Sequence, residues 1–109
     1  MVQYMAPELC PIFHALGDPT RMAMVMEASR GEIALADLAA ERRISLTATL
    51  KHLKVLENAG VVRSTKVGRE RRCRVQPEAF AGIAAWLEET RRAWTFRLDN
   101  LEAFLEETA

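Results

Sequence analysis

The sequence is short of several features that define large classes of protein. Two cysteines occur in 109 residues, and Cys10 and Cys73 lie far apart, so no disulfide framework is indicated. Aromatic residues make up 6% of the chain, which favours aliphatic helices over a β-sandwich. No run of about 18 apolar residues occurs, and the N-terminus lacks the pattern of a secretory signal. We therefore expect one cytoplasmic domain over residues 1–109 that makes no contact with a membrane.

Motifs of enzymes are missing as well. The chain has no glycine-rich phosphate loop, no nucleophile elbow and no recognisable acid–base pair. The carboxylate pairs Glu88–Glu89 and Glu106–Glu107 are adjacent on a predicted helix, so their side chains point in different directions and face solvent. We expect that the protein is not an enzyme and needs no cofactor.

The formal net charge is zero, but the charges are unevenly distributed. Residues 1–40 carry a balance of −3, residues 41–60 carry +2, residues 61–75 carry +5 and residues 76–109 carry −4. The distribution of charge matters more than its total for the steering of a polyanion. The basic segment is therefore a candidate for binding nucleic acid, and a solvated charged face is the alternative interpretation.

The first part of the chain has the spacing of short amphipathic helices. A helix is predicted over 6–16, closed by Gly17. Asp18 is a suitable N-cap, and Pro19 suits the first position of a second helix that runs to about Ala28. The residues of this second helix expected in the core are Met22, Val25 and Met26. Ile33 is expected to form a very short strand, and a third helix over 35–43 should point Leu35, Leu38 and Ala39 inward.

Residues 45–60 have the pattern of a capped amphipathic helix. Ser45 is a good N-cap, and Gly60 stands where a left-handed residue ends a helix. On a helical wheel, the residues expected to face the core are Leu46, Thr49, Leu53 and Leu56. The exposed stripe is formed by Thr47, Lys51 and Lys54, with Ala48 beside it and Leu50 at its border. Small and polar side chains on this stripe leave room for base edges, and the lysines can reach phosphates.

Two β-prone runs, 61–66 and 71–75, follow this helix and predict a hairpin. The turn between them contains Gly68. The basic residues of the hairpin are Arg69, Arg71, Arg72 and Arg74, a set suited to phosphates or to the minor groove. A surface hairpin whose arginines serve solubility is the alternative. A helix with a basic stripe beside a basic hairpin favours a winged helix-turn-helix that reads DNA.

From Pro77 onwards the pattern predicts a long helix, since no further proline follows and Gly82 is the sole glycine. Apolar residues step by fours and threes, with one break at Arg91, through Phe80, Ala84, Leu87, Trp94, Leu98, Leu101 and Leu105. One helix of roughly 28 residues would be about 42 Å long. It would outrun a domain whose radius of gyration is about 13 Å, and would leave an apolar stripe for a second chain to cover. A break near Thr95, with the last turns folded back, is the alternative.

The order of these elements, together with four segments, closely resembles the ArsR/SmtB family of bacterial winged-helix repressors. The segments are FHALGDPTR, LADLAAE, SLTATLKHLKVLENAGVV and GRERRCRV. The resemblance covers about residues 8–105, and the combination of ALGDPTR with KHLKVLENAGVV is specific. It implies a mostly α-helical winged helix-turn-helix with a small β-hairpin and a long C-terminal dimerisation helix.

The resemblance also implies a function. Family members repress transcription as homodimers, whose recognition helices enter successive major grooves of an imperfect inverted repeat in a promoter. The resemblance and the exposed stripe together assign DNA binding to Ser45, Leu46, Thr47, Ala48, Leu50, Lys51, His52, Lys54, Gly68, Arg69, Arg71 and Arg72. The dimer interface is expected to include Leu9, Phe13, Phe80, Leu87, Trp94, Leu98, Leu101 and Leu105. Leu50 stands where serine is frequent, which suggests contact with a thymine methyl group, or packing, in place of a hydrogen bond.

The metal sites for which the family is best known lack their ligands here. Residues 34–37 contain no thiol where one type of site has a Cys-x-Cys pair, and the last helix contains no histidine. We therefore expect that the protein binds no metal. The resemblance places it in the metal-free branch of the family, whose repressors resemble those found beside small hydrophobic-ligand-binding proteins. A small-molecule inducer of unknown identity is a further expectation. Cys10 and His14 could form half a metal site, but a core cysteine and an ordinary histidine are the simpler interpretation.

Two residues keep alternative roles. Cys73 lies among arginines, which would lower the pKa of an exposed thiol, so a redox switch competes with a role as a strand filler. His52 is either a phosphate contact or a tether to the hairpin. Two further functions stay open, a ligand-gated or redox-gated form of the repressor and a winged-helix module that binds another protein.

Overall fold

The computed structural model describes residues 6–108, so residues 1–5 and 109 of the expected single domain lie outside the described residues. The elements in this range are α1 (Ala6–Leu16), α2 (Pro19–Ala28), β1 (Ile33–Ala34), α3 (Leu35–Arg42), α4 (Leu46–Asn58), β2 (Val62–Val67), β3 (Glu70–Val75) and α5 (Pro77–Thr108). The prediction of a mostly helical chain with a small antiparallel hairpin and a long last helix is confirmed.

A third strand extends the hairpin into a sheet with the order β1-β3-β2, and neighbouring strands are antiparallel. The very short strand predicted at Ile33 is confirmed, because Ile33 lies opposite Cys73 of β3. On the other side of β3, Ser64 of β2 lies opposite the same residue. Cys73 therefore occupies the centre of the sheet, with a strand on each side.

The predicted helix ends are confirmed by their capping geometry. The Asp18 side chain accepts a hydrogen bond from the Arg21 backbone N–H at 3.0 Å, and this bond lowers the pKa of the Asp18 carboxyl. Gly60 has φ +79°, the left-handed conformation expected after a helix. Arg43 adopts φ +57° without being glycine, and it turns the chain between α3 and α4. This turn sets the angle at which α4 leaves α3.

The core lies between the first four helices and the inner face of the sheet. Its most buried large side chains are Met24, Leu38, Leu53, Leu56 and Val61. The expectation for α2 is wrong at two positions, because Met22 and Met26 are exposed, while Met24, Val25 and Ala28 are buried. The helix turns its small Ala28 toward the core, since a small side chain permits close approach. The inward residues predicted for α3 are confirmed.

The last helix extends beyond this core. It is continuous for 32 residues, so the predicted long helix is confirmed and the alternative break near Thr95 is wrong. The described part of the chain measures 68 × 25 × 20 Å, and none of the residues of α5 is buried. The helix meets α1 near Gly82, where the Leu9 Cδ2 atom lies 3.3 Å from the position a Cβ would take. Within residues 6–108, no helix combines the length and apolar character needed to cross a membrane.

Candidate nucleic-acid interface

The start of α4 is fixed by two side-chain hydrogen bonds. The Ser45 Oγ accepts from the Ala48 backbone N–H at 3.0 Å, which confirms the predicted N-cap. Thr49 Oγ1 donates to the Ser45 carbonyl oxygen at 2.9 Å, so this buried hydroxyl is satisfied within its own helix. The register of the helix, and hence the face it exposes, is set at this end.

The exposed face of α4 carries the polar stripe expected from the sequence. Thr47, Lys51 and Lys54 are exposed, and Thr49, Leu53 and Leu56 are buried. Neither lysine forms an ion pair within residues 6–108, so both ammonium groups are available to an anion. Ala48 is half-buried at the edge of the stripe.

Leu46 does not face the core, and the wheel-based prediction for it is wrong. It is 51% exposed, and Leu50 is 39% exposed. Both line an open groove of about 250 Å³ between α3, α4 and the hairpin, together with Ala36, Lys66 and Arg71. Leu46 is the first residue of α4, so no neighbouring element covers it. The groove therefore joins an apolar floor to a basic rim.

The tip of the hairpin projects basic groups beside this groove. Gly68 adopts φ +64°, a conformation that favours glycine, so the two strands reverse tightly there. Arg69 follows it and is exposed. Arg71 Nη1 donates to Ser64 Oγ at 3.0 Å, and its side chain lines the groove along α4. The hairpin and α4 thus present their cations toward the same space.

Arg72 is less available than expected for a residue that binds DNA. Its Nη1 donates to Glu70 Oε1 at 2.8 Å, and its Nε donates to Glu32 Oε1 at 3.1 Å. These two carboxylates raise the pKa of the guanidinium and neutralise its charge locally. We expect Arg72 to link β3 to the residue before β1 and to contribute less to an anion than Arg69 or Arg71.

His52 lies away from the exposed stripe. Its Nδ1 is 3.4 Å from Arg21 Nη1 and 4.0 Å from Asp18 Oδ2. The proposed tether to the hairpin is wrong, because the ring contacts the start of α2. Arg21 also donates to the Ala15 carbonyl oxygen at 2.6 Å, so this cluster joins α1, α2 and α4. The predicted contact of His52 with DNA stays a prediction, and the half-buried position of its ring does not favour it.

The structure decides between the alternatives for Cys73 in favour of the buried strand filler, and it overturns the interpretation of Cys10 as a core cysteine. Cys73 is 2% exposed, and burial, with smaller effects from Glu57 and Glu32, raises the pKa of its thiol to about 11. The lowered pKa required an exposed thiol, and because Cys73 is buried the proposed redox switch loses its basis. Cys10, interpreted as a core cysteine, is exposed on α1, as is His14. Within residues 6–108, no three potential metal ligands of the His, Cys, Asp and Glu types come together.

The residues expected at a dimer interface fall into three groups. Leu9 is buried and Phe80 is half-buried, and both pack within their own chain, so their assignment to the interface is not supported. Phe13 is partly exposed and contacts Trp86 edge-on, with ring centroids 5.4 Å apart. The remaining members are exposed along α5, namely Leu87, Trp94, Leu98, Leu101 and Leu105.

Exposed basic residues outside the predicted DNA-binding set lie at the turn before α4 and on the hairpin, and of these only Arg74 was already named as a hairpin cation. Arg42 and Arg43 lie at the turn that precedes α4, and Lys66 lines the groove. The signal for the first two was a pair of arginines separated from the capping Ser45 by Ile44 alone. Arg63 and Arg74 lie opposite each other on the outer face of the hairpin, where like charges repel. An anion would relieve this repulsion.

Comparisons with known proteins identify the relatives of this chain. A model of the bacterial regulatory protein arsR family matches residues 18–64. The HTH-type transcriptional regulator Rv2034 of Mycobacterium tuberculosis is 34% identical over 106 residues, which cover 97% of this chain and 94% of that protein. The chain belongs to the ArsR family.

Solved structures agree with this ArsR-family assignment. An ArsR-like transcriptional regulator from Rhodococcus sp. RHA1 is 34% identical, with a TM-score of 0.85 and 98% of each chain covered. The homodimeric winged helix-turn-helix DNA-binding domain of Mb0332 from Mycobacterium bovis is 17% identical, with a TM-score of 0.65, and covers 84% of this chain and 86% of its own. The family resemblance and the winged helix-turn-helix fold are confirmed.

Proposed function

We propose that this protein is a transcriptional regulator that binds double-stranded DNA as a homodimer and represses a promoter containing an imperfect inverted repeat. One observation carries the proposal. Lys51 and Lys54 on the exposed face of α4 form no ion pair within residues 6–108, and Lys54 lines the same depression as Arg71 of the hairpin. Arg69 at the hairpin tip lines the adjoining groove with Leu46 and Leu50. An α-helix fits the major groove, and a basic wing follows the adjacent phosphates. Membership of the ArsR family and its regulator relatives support this use of the fold.

The exposed residues divide into groups that read bases and groups that contact phosphates. Thr47, Leu46 and Leu50 occupy the first turns of α4, where side chains meet base edges. Two exposed leucines favour contact with thymine methyl groups. Lys51, Lys54 and the wing arginines supply phosphate contacts, which fix the register on the duplex.

Dimer formation is the second half of the proposal. The outer part of α5 exposes an apolar stripe that the described residues, 6–108, do not cover. A second copy related by a two-fold axis would bury this stripe and place two recognition helices on one face of DNA. Such an arrangement matches half-sites about one helical turn apart, roughly 10–10.5 bp. A role on bacterial DNA requires a cytoplasmic location, which is part of the proposal.

The test is selection of duplexes from random oligonucleotides, followed by salt titration of the selected sequence. Wild-type affinity should fall steeply with salt, because bound lysines and arginines release counterions. Lys51→Ala and Arg69→Ala should each reduce the salt slope by about one. Thr47→Ala should alter the preferred sequence. Equal affinity of the wild type for selected and random DNA would contradict the proposal and favour a protein-binding module.

The chain offers a matched control for the loss of charge. Arg30 follows α2, outside the groove, and its side chain is 74% exposed. Arg30→Ala removes the same charge as Arg69→Ala and should leave the salt slope unchanged. An equal slope change in both variants would mean that net charge, and not the wing, controls binding.

A ligand-gated regulator is a second candidate, favoured by the groove of about 250 Å³ beside α4. An amphiphilic carboxylate would place its chain on Leu46 and Leu50 and its charge near Arg71, on the surface proposed for DNA. Decanoate should then release the selected duplex from the wild type, with a weaker effect on Leu50→Ser. Equal release from both proteins would count against this form.

A further inference from the structure

A chain of hydrogen bonds connects the last turns of α4 to the wing. The Glu57 carboxylate oxygen Oε2 accepts from the Ser64 backbone N–H at 3.1 Å and from Ser64 Oγ at 2.7 Å. Ser64 Oγ in turn accepts from Arg71 Nη1 at 3.0 Å. We call these three residues the Glu57–Ser64–Arg71 chain.

The chemistry of each group determines which atom donates and which accepts in these hydrogen bonds. An ionised carboxylate is a strong acceptor, and a hydroxyl has one proton to donate. Ser64 donates its hydroxyl proton to Glu57, so the lone pairs of Ser64 Oγ can accept a further hydrogen bond. The Arg71 guanidinium donates that bond. A guanidinium has five N–H donors. Arg71 therefore keeps most of its donors for a further acceptor.

The sheet register places Arg71 and Ser64 on the same face of the hairpin. Ser64 lies opposite Cys73, and Arg71 lies opposite Lys66, so Ser64 and Arg71 are diagonal neighbours. Since β2 is an edge strand, the Ser64 N–H bound to Glu57 would otherwise face water. The Glu57 carboxylate thus occupies a position next to the edge strand, in place of another strand.

The hydrogen bonds of the Glu57–Ser64–Arg71 chain hold the Arg71 side chain against α4, the proposed recognition helix. Arg71 lines a second depression along α4 together with Leu50, Lys54 and Glu57. Without Ser64 as an acceptor, a long arginine side chain would sample many rotamers, at an entropic cost to any later binding. The structure therefore restricts a cation that lies between the base-reading and phosphate-contacting groups.

We propose that Glu57 is a positioning residue, which acts through Ser64 to hold the Arg71 guanidinium at a fixed distance from α4. The recognition helix and the wing then bind DNA as one rigid unit. This inference rests on the proposed function. It predicts an effect of unusual sign, because a carboxylate near DNA repels phosphate, and its removal by itself should raise affinity. If Glu57 positions Arg71, its removal should lower affinity instead.

The experiment is a double-mutant cycle on the full-length protein and its selected duplex. Glu57→Ala should weaken binding severalfold and reduce the salt slope by about one, as Arg71→Ala does. The double variant should bind no more weakly than Arg71→Ala, because both changes remove the same contact. Glu57→Gln should retain most of the affinity, since its amide oxygen can still accept from Ser64.

Glu41→Ala provides a matched control. It removes an exposed carboxylate from α3, the neighbouring helix, and should leave affinity unchanged or raise it. Higher affinity for Glu57→Ala, or additive losses in the double variant, would overturn the inference. So would a reduced melting temperature of Glu57→Ala accompanied by an unchanged salt slope, because Glu57 would then contribute to stability alone.

A measurement without DNA separates this inference from the proposed function. The Ser64 amide should be protected from hydrogen exchange in the free wild type, although β2 is an edge strand, and should exchange rapidly in Glu57→Ala. Protection that persists in Glu57→Ala would overturn the inference even if the wild type binds DNA. Loss of protection, in a protein that binds no selected duplex, would overturn the proposed function while the contact itself is confirmed.

Discussion

The globular part, residues 8–76, and the outer part of α5, residues 94–108, differ in how their apolar residues are used. In the globular part, leucines, valines and small residues from four helices and the sheet bury one another. In the outer part of α5, every residue is exposed, including Trp94, Leu98 and Leu101. An isolated helix of about 15 residues is only marginally stable in water. The first region is stabilised by packing within its own chain, whereas the second has no buried residue within residues 6–108 and would be covered in the proposed dimer.

The largest effect is expected from a charge on the apolar stripe of α5, which should prevent dimer formation. Leu98→Glu places a carboxylate where a two-fold mate would bury it, and the cost of desolvating that charge should abolish the dimer. We expect a monomer by analytical ultracentrifugation at concentrations where the wild type is dimeric. Far-ultraviolet circular dichroism should show loss of helix from α5 alone.

Phe96 supplies the control for this variant. It is as exposed as Leu98 but lies on the opposite side of the helix by the 100° spacing of residues. Phe96→Glu should remain dimeric. Two monomeric variants would show that negative charge on α5, and not the stripe, controls assembly.

Two alanine substitutions, one in each region, compare how much the two regions contribute to the free energy of unfolding. Leu56 is fully buried, so Leu56→Ala should lower the free energy of unfolding by about 2–5 kcal/mol. Leu105→Ala should change it by less than about 0.5 kcal/mol, because that side chain is exposed in the protomer. Both are measured by urea denaturation in the monomeric Leu98→Glu background. Similar losses from both would show that the end of α5 packs on its own chain.

The smallest effect concerns the two thiols. Cys10 should react with iodoacetamide in the native protein, and Cys73 should not, because it is buried. Mass spectrometry should therefore find one alkylated site at pH 8 and two after denaturation. Rapid native alkylation at Cys73 would contradict its place in the sheet.

The raised pKa of Cys73 also predicts a dependence on pH. The neutral thiol is favoured in the folded state, so its contribution is fully present below pH 9.0, the ordinary value, and is lost as pH rises toward 11. Melting temperatures of wild type and Cys73→Ala between pH 8 and 11 should therefore converge. A constant difference would contradict this assignment.

Much of the fold could be predicted because its signals are local. Ser45, Asp18 and Gly60 act within one turn of the chain, and their roles were confirmed. The length of α5 followed from the absence of interrupting residues. The exposed stripe at Lys51 and Lys54 followed from helical spacing alone.

The errors arise where the partner of a side chain decides its role. Helical spacing gives faces but does not say which neighbour covers them, so Met22 and Leu46 were placed in the core and are exposed. A basic sequence suggested a reactive Cys73, but alternation in β3 points its side chain inward, away from the flanking arginines. Glu57 was not singled out from the sequence, because Ser64 lies seven residues away and contacts it only after the chain reverses direction.

The contact at Gly82 has a consequence for operator choice. Leu9 Cδ2 lies 3.3 Å from where a Cβ would stand, so a larger residue would require the Leu9 side chain to shift, or α1 and α5 to separate, by a few tenths of an ångström. From this point the helix continues for about 39 Å at 1.5 Å per residue, and a small tilt grows along that length. In a symmetric dimer, this tilt would move the two recognition helices relative to each other. In the proposed dimer, the residue at position 82 would thereby influence the separation of the two recognition helices.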